Sequence, residues 1–326
     1  MMSEEVHSRL IEKMRRELGS DILAFLGDDD VTEIMLNDDG VVWVSKIGVS
    51  GAVDTGFKMT EARSVSFLGT VASFYDKTVN HSNTIISEVL PIDGSRLNGV
   101  VPPTVEAPSF NIRKKAKRIF TLDEYIAQGR MTANDKKVIH DGIVKRKNFL
   151  VAGATGSGKT TFTNAILSEI GGINPSHRVV SMEDTAELQI PQKNKVRMYT
   201  DENVSMQRLL FSAMRQSPDR IIIGEIRNGA ALDLLKSWNT GHPGGVTTLH
   251  ANGCMEALSR LEMLILEAIP NPMRPLIGQA LGIVLFIEKL DKGPTLTEIM
   301  EVRGYDVKND EYVVEWIKKK PNSRRT

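Results

Sequence analysis

Residues 153 to 160 read Gly153-Ala154-Thr155-Gly156-Ser157-Gly158-Lys159-Thr160, the G-x-x-x-x-G-K-[ST] spacing of a phosphate-binding loop. Its glycines let the backbone curl until successive N–H groups, continuing into Thr161, point inward at phosphate oxygens. Lys159 would reach the β and γ phosphates, and Thr160 would set its hydroxyl on Mg²⁺. At an average glycine usage of about 7%, the pattern arises by chance in roughly 1% of chains this long. The flanks lower that figure further, because Lys147 to Ala152 reads as a buried strand. Thr161 to Ile170 reads as a helix with Phe162, Ala165, Ile166 and Ile170 on one side. These residues imply nucleoside triphosphate binding.

Two later segments end in acids. Arg178-Val-Val-Ser-Met-Glu183-Asp184 and Arg220-Ile-Ile-Ile-Gly224-Glu225 are short apolar strands tipped by carboxylates. In a parallel α/β sheet, ligands collect beyond the carboxyl ends of the strands, so both tips fall beside the loop. Phosphoryl transfer to water needs a metal ion and an oriented water, and Glu183 and Glu225 are the candidates. The spacing alone does not divide the roles; we assign Glu183 to the water and Glu225, with Thr160, to the Mg²⁺ shell. The bland reading of either acid is a helix cap or a salt bridge.

Thr240 to Asn252 sets His242 in a glycine-rich turn and His250 at the end of the next strand. With a single cysteine in the chain and no third histidine close by, a metal site is not expected. A γ-phosphate sensor or a subunit contact is the reading for each.

The whole chain has 326 residues, with 41 Lys plus Arg against 41 Asp plus Glu. That balance provides no global field for nucleic acid or anionic lipid, and direct nucleic-acid binding is not expected. The one cysteine, Cys254, excludes an intramolecular disulfide and a Cys-based zinc site. The start is acidic and lacks an apolar signal core, and Leu281 to Ile287 is far shorter than the ~20 residues of a membrane span. A cytoplasmic protein, at most peripheral on a membrane, is expected.

Length allows two domains: 1–118, 119–317, and a basic disordered tail at 318–326. A helical stripe of Val6, Leu10, Ile11, Met14, Leu18, Ile22, Leu23 and Leu26 spans residues 4 to 27. It packs on its own domain or a neighbouring subunit, or touches a membrane. Strand, turn and strand follow over 31–44, then a helix at 60–80 and short strands. The basic run Arg113 to Arg118 reads as a solvated hinge, with nucleic-acid or lipid contact as the alternative. Thr121 to Glu124 is a capping box that opens a helix, and 133–146 reads as another.

The order of these segments resembles the Walker A, Asp-box, Walker B and His-box of the secretion (traffic) ATPase superfamily. Glu225 matches that family's Gly-Glu Walker B. The N-terminal Val-Thr-Glu-Ile-Met-Leu-Asn, Leu90-Pro-Ile-Asp-Gly-Ser-Arg-Leu and Trp238-Asn-Thr-Gly-His-Pro-Gly-Gly look most like conjugal-transfer ATPases of the type IV secretion branch. The resemblance implies an α/β fold: a RecA-like P-loop domain with a mainly parallel sheet, preceded by a smaller α+β sensor-like domain. It implies a homohexameric ring that hydrolyses ATP with Mg²⁺ between those domains, at the cytoplasmic side of a bacterial inner membrane. Its partners would be inner-membrane components of a type IV secretion or conjugation channel. Arg96 and Arg113 match the arginines that reach the γ-phosphate, and a guanidinium fork suits the charge of a transferring phosphoryl. Pilus retraction motors share the boxes, and RecA-like nucleic-acid motors are the rival from another class. The single cysteine cannot build the four-cysteine module common in type II motors.

Overall fold

A computed structural model describes residues 4–49, 51–115 and 119–320. The chain is α/β, with two sheets and two compact units, Met1–Arg118 and Ile119–Thr326.

The first unit runs α1 (Glu4–Gly27), β1 (Val31–Leu36), β2 (Val41–Lys46), β3 (Ala52–Lys58), α2 (Glu61–Phe74), β4 (Ile85–Val89), β5 (Arg96–Val100) and β6 (Ser109–Arg113). Its six-stranded sheet has the order β3-β2-β1-β6-β5-β4, and every pairing is antiparallel. Alternation along β1, β5 and β6 turns Ile34, Leu97, Phe110 and Ile112 inward against the helices. Met14, Leu18, Ile22 and Leu26, spaced by four, are buried within this same unit. Helix 4–27 is not continuous, because the backbone at Gly19 (φ 72°) leaves the helical region. The carbonyls orphaned there are taken by Arg63, which donates from Nε to Glu17 O and from Nη2 to Arg16 O at 3.5 Å.

The basic run is partly structural. Arg113 closes β6, and Lys114 Nζ donates to Phe25 O at 3.0 Å and to Asp28 O, at the carboxyl end of α1. Residues 116–118, read as hinge, lie outside the described residues.

The second unit continues with α3 (Leu122–Ala127), α4 (Ala133–Val144), β7 (Phe149–Gly153), α5 (Lys159–Ile173), β8 (Val179–Glu183), β9 (Lys195–Tyr199), α6 (Met206–Ala213), β10 (Arg220–Ile223), α7 (Ala230–Asn239) and β11 (Val246–His250). Helices α8 (Cys254–Leu266) and α9 (Arg274–Ala280) and strands β12 (Ile283–Leu290), β13 (Gly293–Asp306) and β14 (Glu311–Lys318) complete it. The eight-stranded sheet has the order β14-β13-β12-β7-β11-β10-β8-β9. The six strands from β12 to β9 are mutually parallel, and β13 and β14 add an antiparallel edge. Strands β7, β8 and β10 are buried at every position, as expected of parallel strands covered on both faces.

Lys318 is not tail. It ends β14, and its Nζ lies 2.8 Å from the buried Asp135 carboxylate. Lys320 pairs with Glu288 at 2.6 Å, while 321–326 lie outside the described residues. Among the described residues, no helix is long and apolar enough to cross a membrane.

The amino edge of the parallel sheet is held by Arg220, fully buried at the start of β10. Its guanidinium donates to Gly244 O (2.5 Å), Ile143 O (3.3 Å), Asn174 Oδ1 (2.7 Å) and His177 Nδ1 (3.2 Å). Burial, with the Arg146 charge nearby, pushes its pKa down to about 10, so it is still cationic at neutral pH. His177 must stay neutral to accept, and burial and the Arg220 charge hold its pKa below the usual histidine value. Below pH ~6.5 the unfolded chain therefore takes up this proton before the folded chain does, and stability falls as pH falls. Urea midpoints at pH 7 and 5.5 should separate more in the wild type than in His177→Gln, whose amide oxygen accepts without titrating. Equal separations would remove His177 from the acid sensitivity.

Candidate nucleotide site at the carboxyl edge of the parallel sheet

β7 is buried along its length and delivers Gly153 to the sheet's carboxyl edge, where the chain turns into the amino end of α5. Two of the loop glycines are needed for different reasons. At Gly158 the backbone is left-handed (φ 91°) and a Cβ would stand 2.5 Å from Pro294 Cγ. At Gly153 a Cβ would meet Ser157 Oγ at 2.4 Å and Ile287 O at 2.5 Å, so close approach excludes any side chain. Ser157 is buried, and its Oγ makes no hydrogen bond among the described residues.

Lys159 is buried at the mouth of this loop. Its Nζ donates to Gly153 O (3.0 Å) and Ala154 O (2.9 Å) and lies 3.2 Å from His250 Nδ1. An ammonium only donates, so Nδ1 accepts and the ring proton is assigned to Nε2. Nε2 in turn faces Glu225 Oε1 at 3.0 Å. The other oxygen of Glu225 accepts from Arg227 Nη2 at 2.9 Å, and Arg227 Nη1 is 3.3 Å from Asp184 Oδ2. One polar line thus runs Lys159–His250–Glu225–Arg227–Asp184 across the ends of β7, β11, β10 and β8. Burial pushes the Glu225 carboxyl up, but the Arg227 hydrogen bond and charge, with His250 and Lys159, outweigh it. Glu225 is held below the usual carboxylate range.

Glu183 is placed differently. At about 4.8 Å per strand, β10 lies about 10 Å and β8 about 14 Å from β7. Glu183 is 3% exposed, and its Oε1 accepts from Glu187 N (2.9 Å) and Leu188 N (2.7 Å). That oxygen organises the loop between β8 and β9.

The two histidines are not brought together. β11 pairs with β7 from Val246↔Phe149 to His250↔Gly153, so the turn holding His242 lies at the opposite edge, about 16 Å from the loop. There His242 Nδ1 donates to Pro218 O at 3.1 Å. Sensing of γ-phosphate at this loop suits His250 and not His242. The subunit-contact reading is the one left for His242.

In the first unit, Arg96 and Arg113 are direct partners across β5 and β6, with Glu33 opposite Arg113 on β1. All three lie on the sheet face away from the core, and Arg113 Nε is 3.7 Å from Glu33 Oε1. Like charges directly opposite disfavour each other, and the Glu33 carboxylate beside Arg113 offsets that repulsion.

Arg227 and Asp184 were absent from the sequence-based site. Their signal was weak, Arg227 two positions past Glu225 and Asp184 directly after Glu183, and only the sheet order makes them neighbours. The loop cradle, the buried Ser157 hydroxyl and an ammonium linked to the Glu225 carboxylate through His250 fit a nucleoside triphosphate carrying a divalent cation.

Residues 22–303 match the family described as Type II/IV secretion system protein. The chain is 44% identical over 309 residues to the Conjugal transfer protein TrbB of Rhizobium radiobacter, spanning 95% of this chain and 94% of that one. It is 32% identical over 294 residues to the Type IV secretion system protein VirB11 of Bartonella quintana (strain Toulouse), spanning 76% and 80% respectively. Its fold resembles that of the Yersinia pseudotuberculosis ATPase DotB, with a TM-score of 0.63 at 16% identity over 88% of this chain and 78% of that one. With residues 22–303 matched by the family and 95% of its length shared with TrbB, the chain belongs to the Type II/IV secretion system protein family.

Proposed function

We propose that this chain is a motor ATPase of a type IV secretion or conjugative transfer apparatus, hydrolysing ATP to ADP and phosphate. The observation that carries the reading is the line Lys159–His250–Glu225, which joins the phosphate loop to the one carboxylate two strands away. In this reading the second unit is a RecA-like domain and the first a sensor-like domain.

Backbone N–H groups from Gly153, Ala154, Thr155, Gly156, Ser157, Gly158 and through Thr161 hold the phosphates. The carbonyls that Lys159 now serves are neutral, and charged phosphate oxygens outcompete them. His250 then loses its ammonium donor, so the arrival of phosphate is passed to Glu225 and, through Arg227, to Asp184. Thr160 and Glu225 would hold Mg²⁺, which supplies charge against the β and γ oxygens. Glu225 also orients the water, a role we move from Glu183 because of that residue's backbone contacts. Arg96 and Arg113 supply transition-state charge within a homohexamer. The ring works at the cytoplasmic side of an inner membrane, on components of the transfer channel.

Light scattering with a non-hydrolysable ATP analogue and Mg²⁺ should give six times the 36.1 kDa chain mass. A monomer with and without nucleotide would count against the ring. Stimulation of turnover by single-stranded DNA, with the steep salt slope of phosphate contacts, would favour a nucleic-acid motor instead.

A further inference from the structure

The reacting end of the triphosphate is fixed by its neighbours, and that orients the rest of the molecule. His250 and Glu225 belong to β11 and the end of β10, both on one side of β7. The terminal phosphate must lie on that side, so the sugar and base leave on the other, where β12 is the next strand. The β12–β13 turn rises there against the loop itself. Pro294 packs so closely on Gly158 that a Cβ would stand 2.5 Å away.

The same turn is clamped to the segment after α3. Arg130 Nε donates to Lys292 O at 2.5 Å, and Arg130 O accepts from Leu296 N at 3.0 Å. The Arg130 guanidinium also stands over the Phe120 ring, 6.0 Å from its centroid. Its Nη2 is so near Gly293 that a Cβ there would be 2.7 Å away. Two contacts therefore hold the guanidinium plane still, and neither Nη nitrogen makes a hydrogen bond among the described residues. A planar cation fixed at the rim, with two uncommitted donors, suits ribose hydroxyls or the edge of a base, and its face can stack on a ring.

We propose that the nucleoside half of the bound nucleotide is read by this lip, with Arg130 as the specificity-determining contact and Pro294 as the shelf. The proposal rests on the triphosphate reading of the loop, and the test separates the two. Full-length wild-type and Arg130→Ala proteins are titrated with ATP and with inorganic tripolyphosphate, each with Mg²⁺. Loss of a charge-assisted hydrogen bond should weaken ATP binding about tenfold or more. Tripolyphosphate, which lacks a nucleoside, should bind both proteins within twofold. Equal loss for both ligands, or loss for neither, overturns the lip while leaving the phosphate loop standing. No binding of either ligand by the wild type sinks both readings.

Photolabelling of the wild type with 8-azido-ATP needs no variant and covers the case in which Arg130→Ala fails to fold. Label on residues 129–130 or 291–294, competed by tripolyphosphate, supports the assignment. Competed label found only elsewhere refutes it.

Discussion

Glu225→Gln should bind ATP within a few-fold of wild type while turning over about 10²- to 10⁴-fold more slowly. The amide keeps the size of the side chain but removes the charge that Arg227 and His250 are arranged around. The chemistry needs that charge to draw a proton from water; ground-state binding, carried by the loop N–H groups and Lys159, does not. Nucleotide binding and phosphate release measured on one preparation separate the two effects. Glu183→Gln provides the comparison, since its amide oxygen can still accept from Glu187 N and Leu188 N. Its turnover should fall less than that of Glu225→Gln; the reverse order would return the water to Glu183. The pH profile adds a check. Because Glu225 is held below the usual carboxylate range, the activity it carries is present above its lowered pKa. The acid limb should lie lower than that of a free carboxylate, and Arg227→Ala should move it up.

Lys159→Ala should lose tight ATP binding altogether, by at least about a hundredfold. Each charge-assisted hydrogen bond to a phosphate oxygen contributes roughly 1.5–3 kcal/mol, and the lysine supplies more than one. The fold should survive, because the loop carbonyls Lys159 donates to and the histidine nitrogen beside it lie at the sheet's edge and not in the core. Isothermal titration with an unhydrolysable analogue, beside a thermal melt, distinguishes lost binding from lost structure. Retained affinity in a well-folded Lys159→Ala protein would remove the lysine from the phosphate site.

The sheet's carboxyl edge was legible because parallel strands buried on both faces are continuous apolar runs. Phe149–Gly153, Val179–Glu183 and Arg220–Ile223 each announce their carboxyl ends by the residue at which apolarity stops. A glycine-rich loop or an acid at that point can lie at only one edge. The helical stripe of α1 was equally plain, since burial of Met14, Leu18, Ile22 and Leu26 follows directly from the spacing. Its interruption at Gly19 was not, because the guanidinium that relieves the exposed carbonyls comes from Arg63 on another helix.

Two signals stood in the sequence alone: the glycine spacing of a phosphate-binding loop, and acids where apolar runs stop. Those are local properties, set by backbone conformation and by where a hydrophobic run stops. Tertiary structure decided which of the candidates meet. Strand order put β11 between β7 and β10, so His250 bridges Lys159 and Glu225, while Glu183 on β8 turned to its own loop. The length of β11 sent His242 to the far edge although only seven residues separate it from His250. Pairing of β12 with β7 placed Pro294 on Gly158 across more than a hundred residues of chain. Sheet order and strand direction are set by the packing of the whole core, and no spacing along the chain encodes them.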